Sequence, residues 1–168
     1  MAKEIERKFL VLSDRWQSFV NEAAPTGTAY SQGYIATATP GQSVRVRIAG
    51  DQGFLTIKGP TQGTRGLTRT EFEYPIPLGD AREMLDTLCD RPFISKIRYR
   101  IPIGAVIWEV DVFQGDNAGL RVAEVELLSE EQSFEKPSWV GEEVSGDAKY
   151  YNASLVRAPY STWHHSTQ

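Results

Sequence analysis

Across seven segments of this chain, charge falls at alternate positions with apolar residues between. A period of two is the mark of a β-strand with two unlike faces. The first segment, Glu4-Ile5-Glu6-Arg7-Lys8-Phe9-Leu10-Val11, sets Glu4, Glu6 and Lys8 against Ile5, Phe9 and Val11, with Arg7 a lone charge on the apolar side. The same grammar returns in 43–49 with Arg45 and Arg47, in 54–58 with Thr56 and Lys58, and in 68–76 with Arg69, Glu71 and Glu73. It returns again in 93–101 with Lys96, Arg98 and Arg100, in 105–113 with Glu109 and Asp111, and in 120–128 with Glu124 and Glu126. An eighth strand, 28–37, carries no such charge.

One strand of this kind would be an ordinary edge with a solvated face. A whole sheet face open to water would mix in Thr, Ser and Gln, because exposed strand positions tolerate them all. Here the common face holds eight acids and eight bases, and the other face is Val, Ile, Leu, Phe and Tyr and must itself be covered. A closed antiparallel barrel with a charged interior and an apolar exterior packed under helices satisfies both conditions. The expected fold is therefore α+β: an eight-stranded closed antiparallel β-barrel, or tunnel, flanked by a few helices. Residues 1–168 read as a single domain, since no linker, repeat or low-complexity block divides them.

Three helices are available as covers. Residues 13–20 place Trp16, Phe19 and Val20 on one stripe behind Ser13 as N-cap. Asp80 and Glu83 form a capping box ahead of Ala81, Met84, Leu85 and Leu88. A last helix runs from Asp147 through Tyr150, Tyr151 and Asn152 to about Arg157, followed by a frayed tail containing His164 and His165. Residues 59–66 read as a glycine-rich hairpin loop, without the Gly-Lys-Ser/Thr ending of a phosphate-binding P-loop. Residues 129–144 read as a polar connection.

Charges facing a narrow lumen are costly unless paired with each other or with a bound ion. Sixteen of them imply a highly charged ligand. Arg and Lys suit a chain of phosphates, and carboxylates suit hard divalent cations that bridge phosphate oxygens. No His or Cys set supports zinc. A net charge of −4 gives no attraction to nucleic acid or to an acidic membrane, and no apolar run approaches a membrane span. Cys89 is the only cysteine, which suits a reducing, cytoplasmic setting.

The series Glu4-Ile-Glu6-Arg-Lys8, Arg45-Val-Arg47, Leu55-Thr-Ile-Lys58, Arg69-Thr-Glu71-Phe-Glu73, Lys96-Ile-Arg98-Tyr-Arg100, Glu109-Val-Asp111, Glu124-Val-Glu126 and Lys149-Tyr-Tyr-Asn152 resembles the CYTH superfamily, the triphosphate tunnel metalloenzymes. The resemblance covers roughly the whole chain in order. It implies a tunnel binding a triphosphate with two divalent ions, Mg²⁺ or Mn²⁺. By the same resemblance Glu4, Glu6 and Glu126 are ligands of the first metal with Glu124 nearby. Glu73, with Glu71 or Asp111, would help place the second metal and the attacking water. Lys8, Arg45, Arg47, Lys58, Arg69, Lys96, Arg98 and Arg100 would hold phosphates. Lys8, Glu73 and Arg45 are the catalytic candidates, and the 150–151 segment would close one tunnel mouth. The expected activity is hydrolysis of a small-molecule triphosphate, with inorganic tripolyphosphate ahead of thiamine triphosphate. An adenylate cyclase or a non-catalytic polyphosphate binder are the alternatives, in a monomer or homodimer.

Overall fold

The computed structural model describes residues 3–19 and 27–163. Nine strands are present among them: β1 (Lys3–Val11), β2 (Thr28–Ile35), β3 (Ser43–Ala49), β4 (Gln52–Gln62), β5 (Thr68–Ile76), β6 (Ile94–Ile103), β7 (Val106–Phe113), β8 (Arg121–Glu126) and β9 (Val140–Glu143). Eight close into an antiparallel ring in the order β1-β5-β4-β3-β2-β6-β7-β8 and back to β1. The tunnel expected from the alternation is the fold observed.

The ninth strand lies in the stretch that reads as polar connection. One edge of β1 is shared: Lys3–Ile5 pair with β5, and Phe9 and Val11 pair with β9. Only four residues long and ending in two acids, Glu142 and Glu143, β9 has no period strong enough to announce itself.

The apolar exterior is covered in two places. Helix α1 (Leu78–Thr87) buries Ala81 and Leu85 against Val46, with Ile35, Ile48 and Leu55 around them. It sits close because of glycine: a Cβ on Gly33 would lie 2.8 Å from that of Cys89, and one on Gly53 2.9 Å from that of Ala81. The helix starts earlier than Asp80. Pro77 takes the N-cap position without a side-chain bond, leaving Asp80 in the first turn, where a carboxylate complements the helix dipole.

The second cover lies over β1, β6, β7 and β8, where Phe9, Trp108, Val110 and Val125 are buried with Trp16, Leu127 and Trp139. Phe9 and Trp108 meet edge-on at 5.5 Å, and Trp108 and Trp139 at 5.9 Å. Each such side chain contributes about 1.5–3 kcal/mol by leaving water. The expected first helix is a 3₁₀ segment, Asp14–Phe19, and only its Trp16 is buried; Val20 lies outside the described residues. The irregular stretch between β8 and β9 supplies the rest through Leu127, Phe134 and Trp139. Arg7 stays outside, bound to Glu143 at 2.6 and 2.8 Å and lying over the Phe9 and Phe134 rings.

The C-terminal segment covers no outer face. It breaks at Tyr151 into a 3₁₀ turn, Ala148–Tyr150, and α2 (Asn152–Arg157). Leu155 and Val156 pack on Ile94, Phe113, Leu120 and Val122. Ile94, Phe113 and Val122 share the inward parity of Lys96 and Glu124, so α2 plugs one end of the barrel. The expected fray after Pro159 is instead a 3₁₀ turn, Tyr160–Thr162, and Tyr160 and Trp163 join this cluster. His164 and His165 lie outside the described residues. Residues 59–62 extend β4 past a register shift after Lys58, which shortens the expected loop to 63–66. Among the described residues no helix is long and apolar enough to cross a membrane.

Candidate active site

Because the alternation turns every second residue inward, one cavity of about 530 Å³ fills the barrel. Its wall includes Glu4, Glu6, Lys8, Arg45, Arg47 and Lys58 from β1, β3 and β4. It continues through Arg69, Glu71 and Glu73 of β5, Lys96 and Arg98 of β6, and Glu109, Glu124 and Glu126 of β7 and β8. Two sequence candidates fall outside this wall. Asp111 is 1% exposed behind it, and the Arg100 side chain is 61% exposed, 3.7 Å from Glu109.

On β6–β7 the charges are paired within the protein. The Arg98 guanidinium grips Asp111 by two bonds at 2.7 and 2.9 Å, donates to Glu124 at 2.8 Å and reaches Glu109 at 3.3 Å. Lys96 Nζ donates to Asp111 at 2.7 Å and is 1% exposed. Burial pushes Lys96 down to about 7, with Arg98 and Arg47 adding to the fall and Asp111 opposing it. Burial would raise Asp111, but Arg98 and Lys96 outweigh it and hold the carboxyl below its usual range. Asp111 therefore spends both oxygens on cations.

On β1–β8 the balance differs. Glu6 faces Glu126 and Lys8 faces Glu124 across the pair. Among the described residues neither Glu6 nor Glu126 has a salt bridge. Burial and the charges of Glu124 and Glu4 push Glu6 well above the usual carboxyl range. Burial raises Glu126 too, helped by Glu4 and Glu109. Glu124 is opposite in sign: despite burial, Lys8 and Arg98 hold it well below its usual value. Glu4 is bound by Lys58 at 2.9 Å, and Lys58 also reaches Glu71 at 3.4 Å.

The β3 wall mirrors this with the other charge. Arg47, four strands around the ring from β8, has no carboxylate partner among the described residues. Its Nε donates to Gln32 at 2.8 Å and its guanidinium lies 4.6 Å from the Tyr30 ring centre. Burial, with Arg45 and Arg98 nearby, lowers it to about 10. Arg45 donates to Thr56 and to Glu73, at 3.1 and 3.3 Å, but its Nε is buried with no hydrogen-bond acceptor. An orphaned buried donor beside an uncompensated guanidinium is a receptor for an anion. Both Arg45 and Thr56 donate to one oxygen of Glu73, which leaves the other free to accept from water.

Several wall residues carry no charge, so alternation of charge did not single them out. Gln32, fully buried behind the wall between Tyr30 and Tyr34 on the uncharged strand β2, bonds to two wall residues, Arg47 and Asn152, the latter from α2. A polar residue framed by two aromatics on the barrel's one uncharged strand was the available signal. Arg69 reaches the cavity but donates to the carbonyls of Gly59 and Gly41, at 2.8 and 3.1 Å, fastening the β4 extension to the β2–β3 turn.

Glu6 and Glu126, with Glu4 and Glu124 beside them, could hold a hard divalent ion, as could Glu71 and Glu73. No three acidic side chains among the described residues converge into a ready cage. The donor set fits an ion that keeps waters and takes substrate oxygens beside one or two carboxylates.

Known proteins share this chain's sequence and fold. Residues 2–160 match the CYTH domain family. An inorganic triphosphatase of Acetivibrio thermocellus is 45% identical over 163 residues, which is 97% of this chain and 99% of that one. An inorganic triphosphatase of Nitrosomonas europaea is 38% identical over 161 residues, 91% and 96% of the two chains. A solved structure of an inorganic triphosphatase, 34% identical, superposes with a TM-score of 0.59 over 93% of this chain and 95% of that one.

Proposed function

This chain belongs to the CYTH domain family, and on that premise we propose that it is a divalent-metal-dependent triphosphatase acting on inorganic tripolyphosphate. One observation carries the reading. Acidic and basic groups without an ion-pair partner among the described residues face one cavity, Glu6 and Glu126 on one side and Arg47, beside the unpartnered Arg45 Nε, on the other. A metal–triphosphate complex complements both at once. The relatives named as inorganic triphosphatases support the substrate class.

Glu6 and Glu126, with Glu4 and Glu124 near, and Glu71 with Glu73 would hold Mg²⁺ or Mn²⁺, which would supply positive charge to offset that of the triphosphate. Arg45, Arg47 and Lys58 hold the phosphates from β3 and β4, and Lys8 from β1 itself. Arg98 commits four of its five N–H groups to three carboxylates and so chiefly fixes the β6–β7 wall. The free oxygen of Glu73 orients the attacking water in line with a terminal phosphorus, while Arg45 steadies that phosphoryl group.

The inorganic substrate is preferred because the three tyrosine rings lining the cavity among the described residues, Tyr30, Tyr34 and Tyr151, are all engaged by the protein's own side chains, Tyr151 by Lys8 Nζ at 5.8 Å. Arg47 and Arg98 occupy the Tyr30 ring at 4.6 and 5.1 Å, and Tyr34 accepts from Gln32 and packs on the plug. We read residues 1–168 as one such domain, in a reducing cytoplasmic setting that suits its single Cys89. The test is phosphate release from tripolyphosphate, thiamine triphosphate and ATP with Mg²⁺ or Mn²⁺. Rapid release from tripolyphosphate and little from ATP supports the reading. Cyclic AMP and pyrophosphate from ATP would make the chain a cyclase.

A further inference from the structure

The plug does more than close the barrel. Asn152, the first residue of α2, lines the cavity, and its Oδ1 accepts from Lys96 Nζ at 2.8 Å and from Gln32 Nε2 at 3.2 Å. The orientation of this amide is fixed from both ends. A charged lysine only donates, so the Asn152 atom facing Lys96 is the oxygen, and the Gln32 NH₂ on the other side demands the same. Arg47 also only donates, so Gln32 must turn its own oxygen to Arg47 and its NH₂ to Asn152 and Tyr34. A chain of bonds thus runs Arg47 to Gln32 to Asn152, with Lys96 closing it from the other side. The Asn152 Nδ2 is left with no acceptor among the described residues, in a side chain that borders the cavity. The same segment holds a second wall lysine, since Lys8 Nζ donates to the Tyr150 carbonyl at 3.2 Å.

We propose that Asn152 is a substrate-binding residue of the triphosphatase site, donating its Nδ2–H to a phosphate oxygen at the plugged end while its oxygen positions Lys96. This rests on the triphosphatase reading above. The ligand is the end of the triphosphate that enters deepest, beside Lys96 and Arg47. Lys96 supplies charge there, and Asn152 supplies a neutral donor that no carboxylate in the wall has already taken.

Two variants separate the two roles of the amide. Asn152→Asp keeps an acceptor for Lys96 and Gln32 but exchanges the donor for a negative oxygen, whereas Asn152→Ala removes both. Steady-state phosphate release and metal-free calorimetric titration with tripolyphosphate are read beside thermal melting. Asn152→Asp is expected to raise KM and the metal-free Kd about tenfold or more, with kcat less affected and melting unchanged. Asn152→Ala is expected to lower kcat as well, because Lys96 loses one of its two acceptors and keeps only Asp111. Wild-type KM and Kd in Asn152→Asp overturn the proposal, as does a loss of melting and kcat with KM unchanged. Should neither variant fold, the side-chain amide resonances of Asn152 in the wild-type protein decide: they shift on saturation with tripolyphosphate, or the proposal falls. A wild-type protein that binds tripolyphosphate but releases no phosphate would instead overturn the triphosphatase reading, leaving the titration and the resonances to judge Asn152.

Discussion

The β6–β7 and β1–β8 walls of the cavity are built from the same residue types and do opposite things with them. On β6–β7, Arg98, Lys96 and Asp111 satisfy one another at 2.7–2.9 Å and Arg98 reaches across to Glu124. On β1–β8, Glu6 and Glu126 face each other, and neither has an ion-pair partner among the described residues. A buried charge that is fully paired belongs to the architecture, and removing one partner strands the other. A carboxylate held near like charges is an unfilled demand for a cation. Alternating charge builds both walls, and pairing decides which is scaffold and which is site.

The largest test of this division is to break the scaffold. Asp111→Ala leaves Lys96 and Arg98 without their shared counter-ion and should cost about 3–5 kcal/mol in chemical denaturation. Glu126→Gln, in the other wall, should leave the metal-free protein as stable as before or more so. Equal losses in both variants would erase the distinction.

Next in size is the effect on turnover. Glu6→Gln should lower metal-dependent phosphate release about a hundredfold or more while the fold remains, judged by circular dichroism. Normal release in that variant would remove β1 from the site.

The third test is pH. Glu6, Glu71, Glu109 and Glu126 are raised above the usual 4.5, so in the metal-free protein the native state binds more protons than the unfolded chain just above that value. Their contribution to stability therefore falls as pH rises through the raised values. Asp111, Glu124 and Glu4 are lowered, so theirs is present above the unfolded values of 3.8 and 4.5 and is lost on acidification below them. Below pH 7, metal-free melting should peak on the acid side, somewhat above about pH 4.5, before the lowered Lys96 lifts stability again above about pH 7. Saturating Mn²⁺ should lift the neutral limb preferentially; a monotonic rise to pH 7 without metal would contradict the assignment.

The smallest effect is expected at Arg100. Its exposure outside the cavity predicts that Arg100→Ala changes KM for tripolyphosphate by about twofold or less, as for other exposed charges.

The barrel was legible in the sequence because alternation reports directly on which side chains face in. The charged wall followed from it residue by residue, apart from Arg100 and Asp111, since period two fixes a face but not depth or partners. Where the signal was weak, other physics decided. β9 is too short to show a period, and Pro77 rather than the acidic pair near Asp80 set the start of α1. The cover over Phe9 and Trp108 comes from an irregular stretch whose Phe134 and Trp139 have no helical spacing. Gln32 and Asn152 are neutral, and what marks them is contact across the barrel, which no local pattern encodes.

The most direct measurement of the two-wall account is calorimetric titration of Mn²⁺, and separately of tripolyphosphate without metal, into wild type and Glu126→Gln. The account predicts that Glu126→Gln loses most of its Mn²⁺ affinity yet binds metal-free tripolyphosphate at least as well as wild type, because Arg45 and Arg47 are untouched. Undiminished Mn²⁺ affinity in the variant would contradict it.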